Sequence, residues 1–378
     1  MNQIIYPGSQ LGILGSGQLG RMFAMAARQM GYHIHTFSPE KNSPMGQVSD
    51  VEWIYPYENL DAVKNFSSAV QVIGFEFENV PSATAEAAAA YCPLRPGAHV
   101  LHTTQQRLRE KRFLEMHHFP VTVFASIQNR NDLESAAEKV KFPAVIKTAD
   151  FGYDGKGQIK VHNFEELKNA FTNLQEKESI LEAWVSFDRE LSVVGARSLN
   201  GEYVDFGVFE NEHTNHILDS TTWPASLSES VVKEAREIAR GIFSALDVVG
   251  VLCVEMFLTK EGKILVNELA PRPHNSGHLT IEACSTSQFE QQVRAICGLP
   301  LGKTEIKKPA AMANLLGDLW LKGNPKWDQA LKIPNVKLHL YGKSNPQKGR
   351  KMGHLTALAD TVTQAKELVL KARAALHS

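Results

Sequence analysis

The sequence predicts a chain of mixed α/β and α+β class in three parts: a parallel-sheet domain over 1–103, a small lid with its connecting helix over 104–185, and a larger antiparallel-sheet unit over 186–378. Three observations predict it. An apolar strand runs into a glycine turn and an apolar-periodic helix, which opens a βαβ unit. Short strands, a glycine loop and a helix then crowd into about 70 residues, the size of a small α+β unit. Strands dominate the remainder, two of them joined by a tight hairpin turn.

The first strand, 11–14, meets G-S-G-Q-L-G at 15–20; the helix behind it runs to Met30, Gly31 stops it, and 32–37 is the next strand. A further strand, 70–77, ends in the acidic run Glu76-Phe77-Glu78-Asn79, and the helix 83–90 follows. A charged helix over 104–116 leads to the lid: strand 144–147, loop 148–157, strand 158–161, a helix 164–173 capped by Asn163, and strand 179–184. Beyond it, strands 189–196 and 203–209 look like neighbours, and a helix spans 228–246. Strands 250–259 and 263–269 form a hairpin around Lys260-Glu261-Gly262. A helix at 287–297, strands near 311–316 and 337–341, and a final helix at 362–376 complete the reading.

Composition narrows the function classes. Of 378 residues, 43% are hydrophobic and 21% charged, which is enough apolar mass to offset the entropy of ordering. The net charge of -1 offers no global field for nucleic acid or an anionic membrane, so neither is expected as a partner. No apolar run approaches the roughly 18 residues of a membrane span, and the start lacks the features of a secretory signal. Cys92, Cys253, Cys284 and Cys297 are scattered, without C-x-x-C, as in a reducing cytoplasm.

Four motifs carry chemistry. The glycines 15, 17 and 20 suit an anion at a helix N-terminus, and Glu40, 20 residues past Gly20, stands where an acid grips a ribose in dinucleotide folds; a plain connecting turn fits the same glycines. T-A-D-F-G-Y-D-G-K-G-Q at 148–158 follows Lys147, and a glycine loop between two strands, with Lys147 and Lys156, can close over a polyphosphate. It is not a Walker-type loop, since G-x-x-x-x-G-K-[ST] is missing. Glu255 lies in a strand apolar on both faces, and the hairpin brings Glu268, beside Asn267, within a residue or so of it; spacing leaves the register open. Sharing a face, the two would be oxygen ligands for Mg²⁺. After them A-P-R-P-H-N-S-G-H at 270–278 pins Arg272, His274 and Asn275 between prolines, a dense donor set for a phosphoryl group or small anion. Lesser features are the strand end 182–185, His213 in a polar run, and a basic cluster of Tyr341-Gly342-Lys343 with 350–354.

Together these parts resemble the ATP-grasp superfamily, and most closely the N5-carboxyaminoimidazole ribonucleotide synthetase family. The resemblance covers nearly the whole chain. It rests on G-S-G-Q-L-G-R at 15–21, F-E-F-E-N-V at 75–80, G-Y-D-G-K-G-Q at 152–158, F-D-R-E-L-S at 187–192, V-E-M-F at 254–257, N-E-L-A-P-R-P-H-N-S-G-H at 267–278, T-S-Q-F-E-Q at 286–291, R-A-I-C-G-L-P-L-G at 294–302 and R-K-M-G-H at 350–354. It implies a Rossmann-like first domain, an ATP-grasp lid and C-terminal domain, and the ATP-dependent carboxylation of 5-aminoimidazole ribonucleotide with bicarbonate through carboxyphosphate. ATP is then a co-substrate, Mg²⁺ or Mn²⁺ the metal, biotin and NAD are not used, and the protein is a cytoplasmic homodimer.

By the same resemblance the ATP site takes in Arg107, Lys147, Gly152, Tyr153, Asp154, Gly155, Lys156, Gly157, Gln158, Glu182, Ala183, Trp184, Val185, Glu190, His213, Asn267 and Glu268, and the metal is held by Glu255 and Glu268. Arg272, His274, Asn275 and Asp154 are the implied catalytic set. Gln18, Leu19, Glu76, Lys343 and Arg350 would bind the ribonucleotide, the last two through its 5′-phosphate. Two residues depart from the family pattern: Ser16 where a glycine is usual, tolerable with φ below zero, and Phe151 before Gly152-Tyr153. The rival readings are a formate-using transformylase of the same superfamily, an NAD-dependent oxidoreductase, and a nucleotide sensor without catalysis.

Overall fold

A computed structural model describes residues 4–150 and 157–377. In the first unit β1 (Gln10–Leu14), α1 (Gln18–Gln29), β2 (His33–Ser38), β3 (Val51–Ile54), α2 (Leu60–Ser68), β4 (Val72–Phe75), α3 (Ser82–Ala89) and α4 (Ala98–Thr104) build a parallel sheet of order β3-β2-β1-β4. The helix α5 (Arg107–Met116) leaves it. The lid sheet, of order β5-β8-β6-β7, is antiparallel: β5 (Phe124–Ile127), β6 (Ala144–Thr148), β7 (Gln158–Val161) and β8 (Ser179–Ala183), with α6 (Asp132–Val140) and α7 (Phe164–Asn173).

The third sheet is antiparallel and eight-stranded, of order β13-β12-β9-β10-β11-β14-β16-β15. Its strands are β9 (Phe187–Arg197), β10 (Tyr203–Thr214), β11 (Ile217–Trp223), β12 (Gly250–Thr259), β13 (Ile264–Ala270), β14 (Ala310–Leu316), β15 (Val336–Leu340) and β16 (Lys351–Leu358). The helices α8 (Glu229–Ala245), α9 (Thr280–Ala283), α10 (Gln288–Cys297), α11 (Trp327–Leu331) and α12 (Val362–Ala375) pack around it.

Several sequence expectations are corrected. The helix read over 104–116 starts later, at Arg107: Thr104 ends α4, Gln106 is extended (φ -127°, ψ 120°), and Arg107 donates its N–H to Ala149 O at 3.0 Å. Of the basic run 350–354, Lys351–His354 opens β16, which had no expected strand: Met352 and His354 are buried, and His354 Nδ1 bonds the Tyr341 hydroxyl at 2.9 Å. The strands β3, β5 and β11 and the helix α6 had no expected counterpart.

The units share cores. Leu11 and Ile34 of the parallel sheet and Phe23 of α1 pack with Phe289, Val293 and Ile296 of α10 and with Tyr341 of the C-terminal segment. Burial at about 25 cal/mol per Å² makes such a seam a strong fixture. α1 is therefore held against α10.

Candidate active site

The glycine turn ends β1 and opens α1. Gly15 carries the positive φ (109°), and the Ser16 hydroxyl accepts from Ser38 Oγ at 2.7 Å in the buried interior. The N-terminus of α1 has an anion, and it is the protein's own. Glu76, at the end of β4, accepts the Gly20 N–H at 2.8 Å with one carboxylate oxygen and the Gly17 N–H with the other. Burial raises its pKa, against these two N–H groups and the charges of Lys343 and Arg272. A dinucleotide pyrophosphate would need the same N–H groups, so the structure speaks against that use of the turn. Leu19 buries its side chain in the core, which leaves its backbone and Gln18 at the mouth of the turn.

The hairpin register is now visible. Phe257 opposes Leu265 and Met256 opposes Val266, but Glu255 opposes Glu268, with Asn267 left over as a bulge. Residues directly opposite in antiparallel strands project on one side, so the two carboxylates share a face. Glu255 Oε1 lies 2.8 Å from His274 Nε2. Burial opposes its charge, but His274, then His213 and Lys351, hold it well below the usual carboxylate range. Glu268 opens to the cleft between confining walls; that confinement first, and the charge of Glu255 second, raise its pKa against Arg107 and Lys147. Two hard oxygen donors in mutual repulsion suit a divalent cation such as Mg²⁺. Among the described residues no group of three or more His, Cys, Asp or Glu gathers for a metal, so nucleotide phosphates and water would supply its other ligands.

Lys147 on β6, opposite Ile180, reaches diagonally to Glu182 on β8, opposite Val145, in a largely buried pair, Nζ to Oε2 2.8 Å. Burial works against the Glu182 charge, yet Lys111, Lys147 and Arg107 bring its pKa down to about 2. In the strand end that follows, Ala183 N–H donates to Val123 O at 2.9 Å and Trp184 N–H to Pro143 O at 3.0 Å. Those two groups are spent internally. Glu190 on β9 holds His213 on β10, Oε2 to Nδ1 2.8 Å. Gly157 (φ 72°) accepts the Thr148 N–H through its carbonyl at 3.0 Å, and Gln158 opposes Lys147 in the ladder. Gly152, Tyr153, Asp154, Gly155 and Lys156 lie outside the described residues, as does Phe151.

Arg272 is half-buried and reaches into the first unit, where its Nε lies 2.8 Å from Glu78 Oε1 and its Nη2 donates to Oε2 at 3.2 Å. The Asn275 amide is committed elsewhere than a small-anion pocket. It donates to Asn314 Oδ1 at 3.1 Å and accepts from Asn314 Nδ2 at 2.7 Å, a buried reciprocal pair that fixes the loop. His274 is clamped from both sides by Gln288, which accepts its N–H at 2.8 Å and donates to its carbonyl at 2.7 Å.

The C-terminal segment meets α1 here. Gln47 Nε2 donates to Gly342 O at 2.9 Å, and Arg21 Nη1 donates to Gln47 Oε1 at 3.0 Å. Lys343 donates to Lys351 O at 2.8 Å, and its charge acts on Glu76. Arg350 Nη1 donates to Asn345 O at 2.7 Å in the same loop. Three groups escaped sequence reasoning as site residues: Glu78, Lys351, whose charge acts on Glu255 and His213, and the pair Glu110-Lys111. Glu78 stands inside the acidic run singled out from sequence; a buried Glu-Lys dipeptide on a charged helix carries no local signal.

The ATP-grasp domain model matches residues 112–289, that of the ribonucleotide synthetase preATP-grasp domain residues 9–105, and that of the phosphoribosylaminoimidazole carboxylase C-terminal domain residues 310–368. The chain is 44% identical to the N5-carboxyaminoimidazole ribonucleotide synthase of Bacillus subtilis (strain 168), over 94% of this chain and 92% of that one. It is 40% identical to the synthase of Brucella melitensis, over 93% and 97%. Its fold matches an ADP complex of N5-carboxyaminoimidazole ribonucleotide synthetase with a TM-score of 0.94 at 41% identity, covering 99% of this chain and 98% of the other. It also matches an Aspergillus clavatus synthase in complex with ADP and 5-aminoimidazole ribonucleotide, with a TM-score of 0.89 at 29% identity over 99% of both chains.

Proposed function

The chain belongs to the N5-carboxyaminoimidazole ribonucleotide synthase family, and on that premise we propose that it carboxylates 5-aminoimidazole ribonucleotide with ATP and bicarbonate, releasing ADP and phosphate, in purine biosynthesis. The supporting observation is the convergence of the Glu255–Glu268 face, the Arg272–His274 loop and the Glu76–Lys343 junction on one cleft.

Lys147, Arg107, Glu190 and His213 bind and orient ATP, with the hinge at Trp184-Val185 beside the base. Glu255 and Glu268 hold Mg²⁺ or Mn²⁺, which, when bound, neutralises charge on the phosphates. A bicarbonate oxygen attacks the γ-phosphorus and the bond to ADP breaks, giving carboxyphosphate. This splits to CO₂ and phosphate, and the substrate amine attacks CO₂ and loses a proton. Arg272 offsets charge on the transferring group, while the closed site keeps carboxyphosphate from water. The glycine motif at 152–158, with Asp154, contributes to the ATP and catalytic sets in this reading. Gln18, Leu19 and Glu76 meet the amine end of the ribonucleotide, and Lys343 and Arg350 its 5′-phosphate.

In this reading the three units 1–103, 104–185 and 186–378 enclose the cleft, and the protein is a cytoplasmic homodimer. Four buried free thiols suit a reducing compartment, and among the described residues no helix is long and apolar enough to cross a membrane. The test is ADP release measured with each substrate omitted in turn. Full rate is expected to need both bicarbonate and the aminoimidazole ribonucleotide; full rate with formate in bicarbonate-free buffer would point instead to a transformylase.

A further inference from the structure

The bulge in β13 decides the metal face. The hairpin register that pairs Met256 with Val266, continued without a break, would set Asn267 opposite Glu255 and Glu268 opposite Val254, on the other side of the sheet. One extra residue, Asn267, brings Glu268 opposite Glu255 instead. A bulge leaves backbone groups out of step with the neighbouring strand, and β13 is the outermost strand of its sheet; a single bridge from Val121 reaches its outer side, where Pro120 O accepts the Val266 N–H at 2.7 Å.

Those groups are taken by α5. Lys111 Nζ donates to Val266 O at 3.1 Å and to Asn267 O at 2.8 Å. Glu110 Oε2 accepts the Leu269 N–H at 3.0 Å. Both side chains are buried, 2% and 4% exposed, so the bonds form away from competing water. Glu110 and Lys111 lie at the third and fourth positions after Arg107, on the same face of α5. One helical face thus presents the proposed ATP-binding arginine and braces the strand that carries the metal ligand.

We propose that Glu110 and Lys111 are positioning residues for the cation site: they lock the Asn267 bulge and thereby hold Glu268 on the same face as Glu255. The inference rests on the reading of Glu255 and Glu268 as metal ligands. Residues that orient metal ligands typically change metal affinity by about 10–100-fold when lost.

The test uses the full chain with ADP and Mn²⁺, reading Mn²⁺ affinity by electron paramagnetic resonance and the melting temperature beside it. Lys111→Met and Glu110→Ala are expected to weaken Mn²⁺ binding about 10- to 100-fold and to lower kcat, with the ribonucleotide KM within about two-fold of the unaltered chain. Glu110→Gln keeps an acceptor for the Leu269 N–H and is expected to restore Mn²⁺ binding. Unchanged Mn²⁺ affinity in Glu110→Ala, or a Glu110→Gln variant as impaired as Glu110→Ala, would overturn the clamp. Should Lys111→Met fail to fold, the two Glu110 variants still decide it. Failure of the unaltered chain to bind Mn²⁺ with ADP would overturn the metal reading itself, and that outcome is seen without any variant.

Discussion

The Glu76 carboxylate accepts the Gly20 backbone N–H at 2.8 Å, so the positive end of α1 is neutralised by a side chain from β4, not by an open phosphate site. The glycine pattern that suggests a dinucleotide is explained by this neighbour. A Cβ on Gly15 would lie 2.4 Å from Glu76 Cγ, and one on Gly17 2.8 Å from Glu76 Oε1.

Gly15→Ala is therefore expected to destabilise the fold by about 1–3 kcal/mol, since it adds strain at a positive φ to a clash with Glu76. Denaturant unfolding measures it. A neutral effect would mean that Glu76 moves aside freely. Glu76→Ala should raise the ribonucleotide KM and leave the chain without NAD binding; a saturable NADH titration would contradict the assignment of the turn.

Glu268→Ala is expected to abolish ATP cleavage with little loss of stability, because the carboxylate is exposed and the charge acting most strongly on it, that of Glu255, repels it. Calorimetric melting beside the ADP assay checks both halves. A variant that unfolds would show Glu268 to be structural.

Lys343→Ala or Arg350→Ala should raise the ribonucleotide KM about 10-fold or more, in line with one charge-assisted bond to phosphate, while ATP affinity holds. Separate titrations of the two substrates distinguish them. Loss of ATP affinity would assign the basic loop to the wrong ligand.

Burial disfavours protonation of His213, but the hydrogen bond and charge of Glu190 win, so its pKa lies above the ordinary 6.5. A raised value stabilises the fold fully below the unfolded pKa, and that contribution is lost as pH rises through the folded value. The melting-temperature gap between the unaltered chain and His213→Gln should be widest below the ordinary 6.5 and close as pH rises through the raised folded value. A gap constant across that range would show that the pair carries no proton linkage.

Much of this architecture is legible along the chain. The helix α7 is bounded as its pattern predicts, and the Asn163 side chain accepts the Glu166 N–H at 2.9 Å as an N-cap. The hairpin carrying both acids follows from its turn. Less legible is β11, whose centre reads D-S-T-T. Ser220 and Thr221 are buried there only because they donate to Glu212 (2.8 Å) and Asn211 (3.0 Å), partners that strand periodicity does not reveal. The same holds for β16, where buried His354 depends on Tyr341.

The sequence by itself determined the kinds of element, their order, the glycine and proline punctuation and the motifs that mark the family, because periodicity, caps and turns are local properties. Tertiary structure alone decided which of those residues meet. It set Glu76 on α1 across 56 residues and Lys111 on Asn267 across 156, committed Asn275 to Asn314, and turned Glu268 to face Glu255 through one bulged residue. Such placements depend on packing and on satisfying buried polar groups between distant segments, which the spacing of residues within a segment does not encode.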